Sequence, residues 1–312
     1  MRRLVAVMVF TLLIVGCAPA DKKQQQVSLS SPFVGGTQGI ALSFQNLRSE
    51  VYDNGRDPFD VVVKLENKGE ALVNKADVQV KISGINPAEF DKSESNLILK
   101  ASDDVIELRK DPQGNVIPPP PAFVEFTGLN NKGKITGATA QFTLRADLCY
   151  VYKTKAVSKL CVREDLLTPK SGGICEINQD KPVFNSGAPV QFSNFKESTR
   201  AKDKVGFTFE VRNVGGGSIF ERSSICNRND RKMENRVYVV VSSGISGVQC
   251  TGLENTQRGA EGFVTLYDGS KLVSCTQPIS TRTDFEQVVN LEAVYDYAQN
   301  IQSQFTVKSS GE

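Results

Sequence analysis

Over residues 142–152 the even positions, Phe142, Leu144, Ala146, Leu148, Tyr150 and Tyr152, are apolar or aromatic. Among the odd positions, Thr143, Arg145 and Asp147 are polar. Alternation with a period of two predicts a strand with one face on a core and the other in water. Similar runs rich in Val, Phe, Thr and Tyr recur along the chain between Gly, Asn, Asp and Pro turns, and no segment carries a long helical period. Many short strands with turn punctuation predict an all-β sandwich fold.

One apolar stretch departs from this alternation. Residues 4–16 follow Arg2 and Arg3, are interrupted only by Thr11, and stop at Cys17. As a helix the stretch is roughly 20 Å long, short of the roughly 20 residues that cross a bilayer. A positive start, a short apolar run and a small residue at its end predict an export signal over 1–16. The ending Ile14-Val15-Gly16-Cys17 resembles the lipobox of prokaryotic lipoproteins. That resemblance implies cleavage before Cys17 and a diacylglyceryl thioether on its sulfur, so the membrane is an expected partner through covalent lipid. Ala18 follows, where some bacteria read an aspartate as an inner-membrane retention signal. The next residues are rich in Lys, Gln and Ser and cannot bury enough apolar surface to offset chain entropy. Residues 17–36 are therefore expected to be the lipidated cysteine and a disordered tether.

The remainder contains an internal repeat. Residues 44–69 and 192–215 each open Phe-x-Asn, pass a polar turn, and close an alternating strand on Asn-x-Gly, at Asn67-Lys68-Gly69 and Asn213-Val214-Gly215. Residues 78–85 and 238–245 each end in Ser-Gly-Ile, and 142–152 matches 289–297 late in each half. The same order of landmarks predicts two tandem β-sandwich domains, at 37–165 and 188–312, joined by a linker over 166–187. The strand–Asn-x-Gly–strand pattern is similar to the CARDB-type and related immunoglobulin-like modules of prokaryotic surface proteins. The resemblance covers the Asn67 and Asn213 regions and the strand order. It implies an immunoglobulin-like sandwich with a non-enzymatic adhesion, spacer or recognition role.

Besides Cys17 there are six cysteines, an even number that favours disulfides in an exported chain. Cys149 and Cys161 lie symmetrically about Lys155, which suggests a hairpin with a cross-strand bridge between them. Cys250 and Cys275 end neighbouring strands and are expected to pair. That leaves Cys175 with Cys226, tying the linker to an insertion at 220–235 that the first half lacks. Asp296 is placed where Cys149 would fall in the second half.

Composition removes several chemistries. There is no histidine, which excludes Ser-His-Asp and Cys-His catalysis and the commonest general base. Neither a GxGxxG turn nor a Walker loop occurs. With the signal removed, Arg2 and Arg3 go, leaving 35 basic and 35 acidic residues, so there is no electrostatic case for nucleic acid. Asp103, Asp104 and Glu107 are a carboxylate group of the kind glycosidases need, but a charged run between strands reads as solvated surface. Asp53, Asp57 and Asp60 are weak candidates for calcium, against good turn chemistry at Asp53-Asn54-Gly55 and Asp57-Pro58. Pro118 to Pro121 reads as a stiff polyproline II surface loop. Tyr150, Tyr152, Tyr295 and Tyr297 recur as one core pattern used twice.

The reading is a non-enzymatic surface lipoprotein, without cofactor, that presents two immunoglobulin-like domains for adhesion or for assembly with an envelope or surface protein. A structural spacer or accessory subunit of an envelope machine is the alternative. A carbohydrate- or solute-binding role is third, weakened by the absence of tryptophan. If Cys17 carries the anchor, Cys17→Ser releases the protein from the membrane fraction, and unchanged retention refutes the lipid attachment.

Overall fold

The structure is a computed structural model that describes residues 31–168, 172–254, 259–281 and 283–311. The export signal, Cys17 and residues 17–30 of the tether lie outside the described residues. Strands dominate, with four short 3₁₀ turns among the described residues. The strands of the first copy are β1 (Ile40–Gln45), β2 (Glu50–Tyr52), β3 (Phe59–Asn67), β4 (Val78–Ser83), β5 (Ile98–Lys100), β6 (Arg109–Lys110), β7 (Val116–Ile117), β8 (Ala122–Leu129) and β9 (Thr139–Val162). Two short strands follow, β10 (Asp180–Lys181) and β11 (Phe184–Asn185). The second copy holds β12 (Val190–Ala201), β13 (Lys204–Asn213), β14 (Ser218–Phe220), β15 (Arg236–Ser242) and β16 (Gln249–Thr251). It ends with β17 (Glu261–Thr265), β18 (Ser270–Pro278) and β19 (Phe285–Lys308).

β9 and β19 are each 24 residues long, about 80 Å of extended chain. They pair antiparallel in unbroken register from Thr139↔Lys308 to Val162↔Phe285. A central sheet in the order β17-β15-β19-β9-β4-β5 grows from this pair. One face of it is covered by two separate sheets, β1-β3-β8 and β10-β12-β13-β18-β16. β9 alternates as its side chains demand: Leu144, Ala146, Leu148, Tyr150, Tyr152, Thr154, Ala156, Ser158, Leu160 and Val162 are all buried.

Each long strand serves both copies. The second half of β19 lies in the first copy, where Phe305 packs on Phe59, Phe90 and Phe142 and residues 306–308 pair with β2. The second half of β9 lies in the second copy, where Thr154 Oγ1 donates to the Val190 carbonyl at 2.7 Å and the Cys161 amide donates to the Glu197 carboxylate at 2.8 Å. Residues 31–312 accordingly cluster as one unit.

Tyr150 pairs with Tyr297 and Tyr152 with Tyr295 across the two strands. These are the repeat-equivalent tyrosines, so the copies are related by a local two-fold axis through the Val151/Asp296 pair. The surroundings repeat as well. The Tyr150 hydroxyl accepts from the Ile40 amide at the start of β1, and the Tyr295 hydroxyl from the Val190 amide at the start of β12. Asn67 and Asn213 each close their own turn, accepting from the amide two residues on, of Gly69 and Gly215. A Cβ on Gly69 would collide with the Tyr152 hydroxyl, and one on Gly215 with the Tyr297 hydroxyl. The Asn-x-Gly motif therefore joins a side-chain-capped turn to close approach by a core tyrosine. Burial raises the pKa of all four tyrosines, which keeps the hydroxyls protonated.

Residues 148–162 form no hairpin about Lys155, because the segment contains no Gly, Pro, Asn or Asp to turn it and the alternation runs straight through. The match of 78–85 with 238–245 is also displaced by one residue. Gln79 faces Cys149 on β9, whereas Tyr238 faces Val294 on β19. Buried Val78, Val80 and Ile82 therefore correspond to buried Val237, Val239 and Val241. By the same register Val294 is the counterpart of Cys149, and Asp296 that of Val151. Nor is all of the expected tether free. The Glu70 carboxylate accepts from the amides of Val34, Gly35 and Gly187 at 2.7–2.8 Å, and the Ala188 amide donates to the Gly36 carbonyl.

One buried ion pair ties the second copy to β9. Glu197 (0% side-chain exposure) and Lys181 (8%) meet at 3.2 Å. Burial pushes the Glu197 carboxyl up to about 7, against the pull of Lys181 and the Cys161 amide. Because the folded pKa is raised above the unfolded one, this group's contribution is complete below pH ~4.5 and is lost as pH rises through ~7, by about 3 kcal/mol. Denaturant titrations of wild type and Glu197→Gln should therefore differ in slope across that window, with the wild type losing more stability as pH rises. Parallel curves refute the assignment.

Candidate functional site

The outer face of the central sheet, around the two-fold axis, is where the copies differ most. Residues 221–235, between β14 and β15, have no equivalent in the first copy and fold back over β19 and β9. Asp296 holds this loop, accepting from the Ser223 amide at 3.0 Å, the Ile225 amide at 2.8 Å and the Ser224 hydroxyl at 3.1 Å. Burial raises the Asp296 pKa and these donors oppose the rise. Cys226 is disulfide-bonded to Cys149 on β9. To converge on one carboxylate, Ser223, Ile225 and Cys226 take φ of 67°, 53° and 49°, a region costly for side-chain-bearing and especially β-branched residues. A bridge 77 residues apart in sequence contributes about 4–5 kcal/mol in the chain-entropy model. The flanks are pinned too. Arg222 lies over the Tyr238 ring at 3.7 Å and Arg236 over Phe263 at 4.7 Å, with Arg236 also paired to Glu221 at 3.2 Å.

Beside the loop lies an open cleft of ≈ 330 Å³. Sheet register builds it in rows: Gln79, Cys149 and Ala298 lie abreast, then Lys81 beside Asp147, then Ser83 beside Arg145. The loop adds Ile225, Cys226 and Arg228. Asp147 is engaged by Arg145 at 2.8 Å and by the Ser83 hydroxyl at 2.9 Å. Lys81 stands 4.0 Å from Glu94, both exposed. Ile225 is 65% exposed at the lip. Among the lining residues Arg145 and Asp147 offset one another, which leaves Lys81, with Glu94 nearby, and Arg228 as the further cations. This arrangement holds charge and shape.

The other expected site residues are distributed as follows. Cys149 and Cys161 are 12 positions apart on one strand, about 40 Å, and cannot bond. Cys149 instead bonds Cys226, and Cys161 bonds Cys175. The proposed Cys149–Cys161 and Cys175–Cys226 pairs are both corrected, because the hairpin that would have brought the first pair together does not exist. Cys250 bonds Cys275 directly opposite it in the β16–β18 register. Asp53, Asp57 and Asp60 do not converge. Asp53 accepts from the Ile135 and Ser310 amides, which lower its pKa. Asp57 is held by Arg48 through two bonds of 2.7 Å, which lower its pKa. Asp60 accepts from the Gly128 amide. Turn and loop closure account for all three. Asp104 accepts from the Lys75 amide and Glu107 from Arg109. Pro118 to Pro121 follow the small β6–β7 hairpin, with Val116 and Ile117 about half exposed. Among the described residues, one group has potential metal-ligand atoms within 4.8 Å of one another, namely Cys149, Cys226 and Asp296. Its two sulfurs are joined as the disulfide.

No protein-family model matches the chain, and no curated protein matches it. One weakly similar solved structure is the collagen binding domain of Erysipelothrix rhusiopathiae surface protein RspB. It is 6% identical, with a TM-score of 0.12 over 86% of this chain and 93% of that one. A superposition this loose bears on neither fold nor function. The three disulfides suit an oxidising extracellular or periplasmic compartment. Among the described residues no helix is long and apolar enough to cross a membrane. Peptide mapping without reductant should recover the links 149–226, 161–175 and 250–275, and a 149–161 link would restore the hairpin.

Proposed function

We propose that this chain is a non-enzymatic envelope lipoprotein, anchored through lipid on Cys17, that presents a rigid two-copy β unit to a protein partner. The observation that carries the reading is the insertion at 221–235. A surface loop of this length needs no disulfide and no buried carboxylate merely to connect two strands. Here both fix exposed Ile225 beside a cleft, with exposed Arg228 two residues after the disulfide-bonded Cys226. Fixed exposed groups over a rigid sheet suit recognition, since little ordering entropy is lost on binding. The oxidising compartment that the disulfides suit, the lipobox-like start and the all-β sandwich agree with an envelope or cell-surface site. Adhesion to a foreign surface belongs to the same reading, with the partner outside the cell.

The passive spacer is the second reading, favoured by the continuous 24-residue strands that run through both copies. Photo-crosslinking on live cells from Asn227 of the full chain separates the two. Recovery of one dominant envelope protein supports assembly. Recovery only of neighbours in proportion to their abundance refutes it in favour of the spacer.

A further inference from the structure

The cleft beside the loop has a chemistry that narrows the partner, and the inference rests on the recognition reading above. We infer that it accepts an acidic peptide segment in which an aliphatic or aromatic side chain lies next to carboxylates. Part of its lining is apolar, made of the Cys149–Cys226 bridge and Ala298 on the sheet, with exposed Ile225 at the lip. Beside it lie the cations Lys81, which stands 4.0 Å from Glu94, Arg145 and Arg228. The one wall anion, Asp147, is already satisfied by Arg145 and Ser83. Arg228 is exposed and has no ion pair or hydrogen bond among the described residues. With the signal removed the chain is formally neutral, so the attraction of the cleft for anions comes from these local cations and not from net charge.

Size and lining decide among anionic partners. At ≈ 330 Å³ the cleft is at the small end of ligand pockets, roughly 300–1,000 Å³. It has room for a few side chains, and its open side leaves a chain free to run on. A polysulfated glycan would use the cations and leave the apolar part of the lining bare. No aromatic ring lines the cleft to stack on a sugar. A peptide uses all three features: its apolar side chain covers the disulfide and Ala298, its carboxylates meet Lys81 and Arg228, and its backbone can exchange hydrogen bonds with the Gln79 side-chain amide. The disulfide and the Asp296 clamp set the lip before binding, which lowers the ordering cost.

The test pans the full chain, purified in detergent, against a random peptide library displayed on phage at low salt. The expected winners carry two or more Asp or Glu flanking an apolar residue, and their affinity falls with added salt. Arg228→Glu and Lys81→Glu should each weaken them by about tenfold or more. Lys202→Glu, an exposed charge in the β12–β13 turn, should leave them unchanged. Both cleft residues are exposed, and unchanged melting with an intact Cys149–Cys226 link shows that each variant is folded. The double variant Cys149→Ala/Cys226→Ala, which frees the lip, should lose binding while circular dichroism still reports the β fold. Enrichment of neutral or basic sequences, or acidic winners indifferent to Arg228→Glu, overturns the inference. So does heparin binding that depends on Lys81 and Arg228 while peptides fail, which would make the ligand a polyanionic glycan. Failure here with a dominant crosslinked partner from Asn227 leaves assembly standing through another face. Success here without such a partner keeps the peptide site and removes a resident envelope partner.

Discussion

The antiparallel pairing of β9 with β19 is the constraint from which the rest of the structure follows. Twenty-four consecutive residues on each strand stay in register, and a single-residue slip would turn every inward side chain on both strands to the solvent. The four tyrosines sit at the centre of the pair and contact one another at 5.5–6.5 Å between ring centroids. Their hydroxyls reach out of the core to the first amide of β1 and of β12 and into the Asn-x-Gly turns. The same residues that fix the register therefore also seat the covering sheets. A sandwich built this way has no free-standing half, since each copy closes its core with a strand segment supplied by the other.

On that symmetric frame the second copy has acquired most of the additions. β10 and β16 extend its covering sheet on both sides, while β1 and β8 remain edges in the first copy. The Cys250–Cys275 bridge staples β16 to its neighbour, and Cys161–Cys175 staples the linker to β9. The 221–235 loop lies over the axis itself. There the symmetry-related pair is Val151 and Asp296, and the departure from symmetry is itself informative. Two valines would make an ordinary sheet surface. One aspartate in this position is a buried acceptor that needs donors, and the loop supplies them. The role of the loop and of Asp296 was not evident from sequence, because the loop meets β4 and β9 about 75 to 150 residues away and Asp296 meets its donors from a loop 71–73 residues before it.

Much of the architecture was legible because it rests on local alternation. The even positions of residues 142–152 face inward as their apolar character requires, and the duplicated Asn-x-Gly turns recur in equivalent places. The cysteine pairing was not legible. Symmetry of Cys149 and Cys161 about Lys155 suggested a hairpin, yet the intervening Tyr-Lys-Thr-Lys offers no residue that reverses a strand. Turn chemistry was the stronger signal, and spacing alone misled. The one-residue displacement between 78–85 and 238–245 has a similar origin. The shared Ser-Gly-Ile begins at or just past the end of the strand, where a bend can absorb an extra residue, whereas the buried valines cannot shift.

The docking of residues 33–36 has a mechanical consequence. Glu70 gathers amides from Val34 and Gly35 on one side and from Gly187 on the other, and Gly69 beside it packs against the Tyr152 hydroxyl and the Gly187 carbonyl. A pull delivered through the N-terminal segment therefore enters at the seam between the copies, not at the tip of a terminal strand. Load applied there is shared at once by the turn after β3, the stretch leading into β12 and the tyrosines beneath them. The bonds it meets must yield together, and strands are not peeled away one at a time.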